Sequence, residues 1–211
     1  MIKVCICDDH MIMREGLKKM LSDSAEVTVV DEAATANDLL NKLDTVTWDV
    51  LILDMSLPDG NGIDVLKECV KRRPSMPVLV LTMHDEEQYG FRTFKAGASG
   101  FITKDCAPEL LITAILKVAK GEKYVSPTLA EKLVSMLGSN EPEESYESLS
   151  DREFEVLTLI GTGSTITEIA EQLKLSVKTI STYRTRIMAK LGLTTNADII
   201  HYCIQNSLFQ A

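Results

Sequence analysis

Five polar residues stand where short apolar runs end. Asp8 and Asp9 follow Val4–Cys7, Asp54 follows Val50–Leu53, Thr82 follows Val78–Leu81, and Lys104 follows Gly100–Thr103. If these runs are strands of one parallel sheet, their C-terminal ends share an edge. That edge is where open α/β sheets carry their ligands. Three carboxylates gathered there repel one another unless a cation lies among them. A ligand set made only of oxygen favours a hard ion, and Mg²⁺ fits it best. A carboxylate beside Mg²⁺ can attack a phosphoryl group and become an acyl phosphate. Lys104 would then neutralise phosphoryl oxygens, and the Thr82 hydroxyl would donate to one. A single Asp after a strand is ordinarily a turn or a cap. The whole set, each member at its own strand end, is a specific pattern.

The elements needed to hold that set are legible. The runs Val4–Cys7, Val27–Val30, Val50–Leu53, Val78–Leu81 and Gly100–Thr103 alternate with amphipathic helical patterns at about 11–21, 35–43, 62–72, 86–96 and 107–120. Runs apolar at nearly every position belong to strands covered on both faces, hence to a parallel sheet. Five βα repeats predict a doubly wound α/β domain over residues 1–125, with Gly97-Ala98-Ser99-Gly100 as a tight turn. Ser126-Pro127 opens a further helix, Thr128 to Leu137, with Leu129, Leu133 and Leu137 in one stripe. Gly138 to Ser145 is polar, acidic and aperiodic and reads as a mobile linker, so residues 126–148 form a helical and acidic connection.

From Leu149 to Ala211 the pattern is all helical, at about 151–161, 166–173, 177–190 and 196–206. Ser150-x-x-Glu153 and Thr165-x-x-Glu168 are capping boxes, and Ser176 is an N-cap. The second and third of these helices are separated by a short turn around Leu175-Ser176, which is helix-turn-helix spacing. On the third helix Ile180, Ile187 and Leu191 share one face. Lys178, Ser181, Thr182 and Thr185 lie opposite, with Arg184, Arg186 and Lys190 on the flanks. Such a helix suits the major groove, with small polar residues at base edges and bases on phosphates. Ser176 and Thr179 at its start could set backbone N–H groups against a phosphate. A plain helical bundle with a solvated polar face gives the same pattern. The last helix, with Ala197, Ile200, Ile204 and Leu208 in near-helical spacing, either packs inside this domain or pairs two copies of it.

Charge and composition narrow the function classes. The net charge is −9, which argues against a chain that coats nucleic acid or anionic membrane nonspecifically. Residues 149–211 hold six acids (Asp151, Glu153, Glu155, Glu168, Glu171, Asp198) and six bases (Arg152, Lys174, Lys178, Arg184, Arg186, Lys190), so the whole excess lies in residues 1–148. A neutral module can still bind DNA where its bases cluster. The five cysteines, Cys5, Cys7, Cys69, Cys106 and Cys203, form no CxxC pair and suit a reducing compartment. With no signal peptide and no apolar run of membrane-spanning length, the expected location is the cytoplasm.

Taken together, Asp8-Asp9, Asp54-x-x-x-Pro58-x-x-x-Gly62, Thr82 and Gly100-Phe101-x-x-Lys104 resemble the receiver domain of response regulators over about residues 2–121. Leu149-Ser150-x-Arg152-Glu153-x-Glu155-Val156-Leu157, Glu168-Ile169-Ala170-x-x-Leu173, Leu175-Ser176-x-Lys178-Thr179-Ile180-Ser181 and Lys190-Leu191-Gly192 resemble the LuxR-type DNA-binding domain. The whole chain is similar to the NarL/FixJ family of two-component response regulators. The resemblance implies a flavodoxin-like receiver and an all-α helix-turn-helix domain. It implies phosphoryl transfer from a sensor histidine kinase to Asp54, with Asp9, Asp54 and the Ser56 carbonyl on Mg²⁺ and Asp8 acting through a bound water. It implies a homodimer on promoter DNA, with RNA polymerase a further candidate partner. Phe101 is then either the aromatic whose rotation follows phosphorylation or an ordinary core ring. Three positions depart from the family's common pattern: Asp105 stands for a proline, Ser181 for a lysine and Tyr183 for a histidine. His84, two residues beyond Thr82, either lines the crevice mouth or is a loop residue, the second reading being preferred, and His10 reads as a residue that caps or flanks the first helix. An aspartyl-phosphate hydrolase is the rival enzyme class, but it wants an acid two residues after the nucleophile, where Ser56 stands. A DNA binder indifferent to phosphorylation is the other rival.

Overall fold

The computed structural model describes residues 1–84, 86–106, 108–138, 145–206 and 208. The chain divides into two compact units, Met1–Ser135 and Met136–Ala211.

The first unit is a five-stranded parallel sheet flanked by helices. Its strands are β1 (Ile2–Cys7), β2 (Val27–Ala33), β3 (Val50–Leu53), β6 (Val78–Thr82) and β7 (Gly100–Thr103), in the order β2-β1-β3-β6-β7. The central strands are apolar because both faces are covered: Val4 to Cys7, Val50 to Leu53 and Val78 to Leu81 are all buried. On one face Leu39, Val65, Leu66, Cys69 and Phe101 pack with Cys5, Cys7, Leu51, Leu53 and Val80. These residues tie α2 (Ala36–Lys42) and α3 (Gly62–Arg72) to the sheet. On the other face Leu17 and Leu21 of α1 (Met11–Ser22) meet Leu111, Ala114, Ile115 and Val118 of α5 (Pro108–Ala119) over Ile6, Ile52 and Leu81.

The strand order places β1 beside β3, the point where the direction of winding reverses and a crevice opens at the strand C-termini. Cys7 pairs with Leu53, so the residues that follow them emerge side by side. Thr82 pairs with Thr103 and accepts, through its carbonyl, the N–H of Lys104 at 2.9 Å. The edge strand β2 is half covered, with Val30 exposed. A small antiparallel hairpin, β4 (Ser56–Leu57) with β5 (Gly60–Asn61), was not expected. It carries the chain from Asp54 to α3, and Asn61 caps α3 by accepting from the N–H groups of Ile63 and Asp64. Beyond α4 (Glu86–Lys95), α6 (Pro127–Gly138) begins where Ser126 Oγ accepts from Leu129 N and donates to Glu86. Leu129 is buried, whereas the side chains of Leu133 and Leu137 and the linker run 139–144 lie outside the described residues.

The second unit is helical: a 3₁₀ turn (Tyr146–Ser148), α7 (Asp151–Gly161), α8 (Ile166–Gln172), α9 (Val177–Lys190) and α10 (Asn196–Gln205). Both expected capping boxes are formed, and Thr195 with Asp198 makes a third that the sequence reading missed. The Asp198 carboxylate accepts three hydrogen bonds, from Thr194 N–H, Thr194 Oγ1 and Thr195 N–H, which holds it down at about 2. Phe154, Leu157, Ile160, Ile169, Ile180, Ile187, Ile199 and Cys203 are the buried apolar set. Lys174, at the close of α8, takes a left-handed conformation with φ 53°, which turns the chain into α9.

Candidate functional site

The β1 and β3 ends bring the expected set together. Asp8 and Asp54 are buried at 2% exposure each, and Thr82 is fully buried. The Lys104 side chain, 3% exposed, lies between the two carboxylates, with Nζ 2.7 Å from Asp8 Oδ2 and 2.7 Å from Asp54 Oδ2. One ammonium thus offsets two buried carboxylates, which otherwise would repel across the crevice. Burial alone would lower the Lys104 pKa, but its hydrogen bonds to Asp54 and Asp8 outweigh that and raise it. The remaining oxygens of the pair are held by backbone. His10 N–H donates to Asp8 Oδ1 at 2.7 Å, and Ser56 N–H donates to Asp54 Oδ1 at 3.2 Å. Thr82 Oγ1 accepts weakly from His84 N at 3.4 Å, which leaves its own proton available. Asp9 is exposed at the rim, where Nδ1 of His10 lies 2.7 Å from its Oδ1.

Whether the residues present suit a cation is a question of donors and spacing. Ligand atoms of Asp8, Asp9, Asp54 and His10 all lie within 4.8 Å of one another, close enough to share a single ion. A mostly carboxylate set suits a divalent hard cation. The acidic cluster therefore fits a metal ion.

Three residues here were missed or placed differently by sequence reasoning. His10 precedes α1 but makes no side-chain cap to it; its ring turns to the carboxylates instead. Arg14 donates from Nη1 to the Asp8 carbonyl at 2.6 Å and from Nε to Glu32 at 3.3 Å, fixing the β1–α1 loop to β2. His84, for which the sequence favours the loop reading, takes the other position weighed for it, at the crevice. Its Nε2 lies 3.1 Å from Ser56 Oγ, and its ring stacks on Tyr89 at 4.2 Å. Burial lowers its pKa. His84 stands in the bend two residues past the end of β6 at Thr82, the position that suggested the crevice mouth. Phe101 is buried at 1% in the core on the α2–α3 face, and its N–H donates to the Tyr124 carbonyl at 3.3 Å.

In the helical unit α9 presents the expected face. Ser176, Lys178, Ser181, Thr182, Thr185 and Arg186 are exposed, and Thr179 and Arg184 are half-buried. The hydroxyls of Ser181, Thr182 and Thr185 donate back to the carbonyls four residues earlier, at 2.9, 2.9 and 3.0 Å. That leaves their oxygen lone pairs outward as acceptors. Two contacts bear on the expected DNA face. The Thr179 N–H is taken by Ser176, through Oγ at 3.1 Å and the carbonyl at 2.9 Å. Lys190 Nζ lies 2.7 Å from the buried Glu153 carboxylate. Although burial opposes it, the bonds from Lys190 and from Ser150 hold the Glu153 pKa down. Arg184 is oriented by Asn196 at the start of α10, Nε to Oδ1 2.5 Å.

Comparison with known proteins agrees with both units. The response regulator receiver domain family matches residues 4–116, and the bacterial regulatory proteins of the luxR family match residues 147–203. Response regulator UvrY of Escherichia coli (strain K12) is 32% identical over all of this chain and 97% of its own length. Oxygen regulatory protein NreC of Staphylococcus carnosus (strain TM300) is 35% identical over 98% of this chain and 99% of its own. Among solved structures, RcsB from Salmonella enterica serovar Typhimurium, bound to promoter rprA in the presence of phosphomimetic BeF3−, aligns with TM-score 0.70 and 32% identity. That alignment covers 95% of this chain and 97% of the other.

Proposed function

The chain belongs to the NarL/FixJ family of response regulators, and from that premise we propose that Asp54 is its phosphoacceptor and α9 its DNA-reading helix. The observation that carries the first half is the single ammonium of Lys104 shared by two buried carboxylates at the β1/β3 crevice. A sensor histidine kinase is the donor. The P–N bond of its phosphohistidine breaks as a P–O bond to the Asp54 carboxylate forms, and the imidazole leaves with a proton. Lys104 passes from the carboxylate to the phosphoryl oxygens, and the Thr82 hydroxyl donates to one of them. Asp8, Asp9, Asp54 and the Ser56 carbonyl are the groups to hold Mg²⁺, which when bound offsets the charge of the incoming phosphoryl group. Ser56, two residues after Asp54, offers no general acid for rapid hydrolysis, which favours a regulator over a phosphatase. Phe101 is the candidate aromatic that reports the change at Thr82 to the rest of the receiver.

Lys178, Ser181, Thr182 and Thr185 are the candidates for base edges, and Arg184 and Arg186 for phosphates. Ser176 and Thr179 cap and stiffen the start of α9, so any DNA contact they make is through their outward oxygens. With six bases against six acids after Leu149, one copy of this unit has little general attraction for DNA. A homodimer on double-stranded promoter DNA supplies the missing affinity by avidity. RcsB, bound to promoter DNA in one structure and as two dimers on two DNAs in another, supports this reading. We place the receiver at 1–125, the connection at 126–148 and the DNA-binding domain at 149–211. RNA polymerase is a further candidate partner. No helix among the described residues is long and apolar enough to cross a membrane, in keeping with work in the cytoplasm.

The test uses the full chain, Mg²⁺ and acetyl phosphate, with a duplex enriched from a random pool on the treated protein. Treatment is expected to tighten binding of the wild type and to leave Asp54→Asn unchanged. Equal affinity in all four cases would make the receiver a passive attachment.

A further inference from the structure

His10 is the one nitrogen donor in an otherwise carboxylate cluster, and its ring makes no cap to its own helix. It occupies the N-cap position of α1 in an extended conformation, φ −82° and ψ 102°, yet its side chain makes no cap bond. Its backbone N–H is pinned to Asp8 Oδ1 at 2.7 Å, which fixes where the ring begins. From there Nδ1 reaches 2.7 Å from Asp9 Oδ1 and 3.4 Å from Asp8 Oδ1. In an octahedral site with metal–ligand bonds of about 2.1 Å, neighbouring ligand atoms stand about 3 Å apart. The two measured separations straddle that edge length. Lys104 takes the Oδ2 atoms of Asp8 and Asp54, and the Oδ1 atoms, each held by one backbone N–H, keep lone pairs for a cation.

We propose that His10 Nδ1 is a ligand of the cation in this crevice, and that the site consequently prefers a first-row transition ion such as Mn²⁺ to Mg²⁺. The proposal rests on the cation-holding role of the acidic cluster and not on phosphorylation or DNA binding. Its physical basis is ligand chemistry. Mg²⁺ takes oxygen and water and gains little from imidazole, whereas the later divalent ions bind imidazole well. To coordinate, Nδ1 gives up its proton contact with Asp9, and the ring carries its proton on Nε2.

The experiment titrates Mn²⁺ into the full-length protein, following the free ion by electron paramagnetic resonance and competing it with Mg²⁺. Electron spin-echo modulation of the bound ion then reports any nitrogen ligand. The wild type should show modulation from one imidazole nitrogen, and His10→Gln should lack it. The ratio of Mn²⁺ to Mg²⁺ affinity should fall roughly tenfold in His10→Gln, at the low end of what losing a supporting group costs a metal site. The His10 side chain is 65% exposed, so the substitution leaves the fold in place. His84 is the other imidazole near the crevice, and His84→Gln should keep the nitrogen signal. An Asp9→Asn protein should lose most Mn²⁺ binding. If Asp9→Asn binds poorly but the wild type shows no nitrogen modulation, the ligand assignment is overturned while the cation site stands. If Asp9→Asn and Asp54→Asn bind Mn²⁺ as the wild type does, the ion lies elsewhere and both fall.

Discussion

At the scale of single residues, the crevice works by balancing charges that burial makes expensive. Asp8 and Asp54 are almost fully buried, and Lys104 is the described base that bridges them. Removing one partner of such a set leaves an uncompensated buried charge, which costs about 3–5 kcal/mol in proteins generally. Lys104→Met should therefore destabilise the metal-free receiver by roughly 3 kcal/mol, and Mg²⁺ should restore part of the loss. Trp48, the only tryptophan and buried in the receiver core, reports that unit alone in a urea titration. The sign with pH follows from the raised Lys104 pKa. Its stabilisation is fully present at neutral pH and is lost as pH climbs beyond the ordinary value of 10.5, so wild type and variant should converge there. Equal urea midpoints at neutral pH would mean the bridge contributes nothing. Asp8, Asp54, Thr82 and Lys104 were legible because each stands at a strand end, where sequence position alone dictates which edge it joins. His10 and Arg14 were not. Each acts by turning a side chain away from the element it adjoins, and a rotamer leaves no periodic trace in the sequence.

At the scale of elements, the loop from Asp54 to α3 is positioned by a lack of space. Gly62 opens α3, and a Cβ there would come within 2.5 Å of the Met55 backbone, at both Cα and the carbonyl oxygen. Backbone cannot move aside as a flexible side chain can, so Gly62→Ala must push the Met55–Leu57 stretch away from the crevice. Since a misplacement of about 1 Å can cost on the order of 100-fold in a positioned reaction, phosphoryl uptake from acetyl phosphate should slow by about that factor. Trp48 fluorescence should meanwhile stay native. An unchanged uptake rate would show that the hairpin does not set the Asp54 geometry. The β4–β5 hairpin itself escaped the sequence reading because strands of two residues have no alternation to detect. The capping boxes of α7 and α8, by contrast, were plain in the spacing of Ser150 with Glu153 and Thr165 with Glu168. The turn into α9 hides its geometry behind Lys174, a left-handed residue that is not glycine. Lys190 looked like a DNA-facing base because its partner, Glu153, lies 37 residues away in sequence.

At the scale of the molecule, two units with different chemistry share one chain. The acidic excess lies in residues 1–148, and the first unit holds the buried acidic cluster; residues 149–211 are electrically neutral and expose one polar helix face. The division was legible from that charge partition and from the change of period after Leu149, because a parallel sheet and a helical bundle repeat differently. How one unit responds to the other was not, since no residue pattern encodes an equilibrium between arrangements. If the receiver works as proposed, Asp54 alone receives the phosphoryl group. Intact-mass measurement of the full chain, incubated with acetyl phosphate and Mg²⁺, tests it most directly. Wild type should gain the mass of one phosphoryl group, and Asp54→Asn should gain none. A wild type that takes up nothing, or an Asp54→Asn protein that takes up as much as wild type, would contradict it.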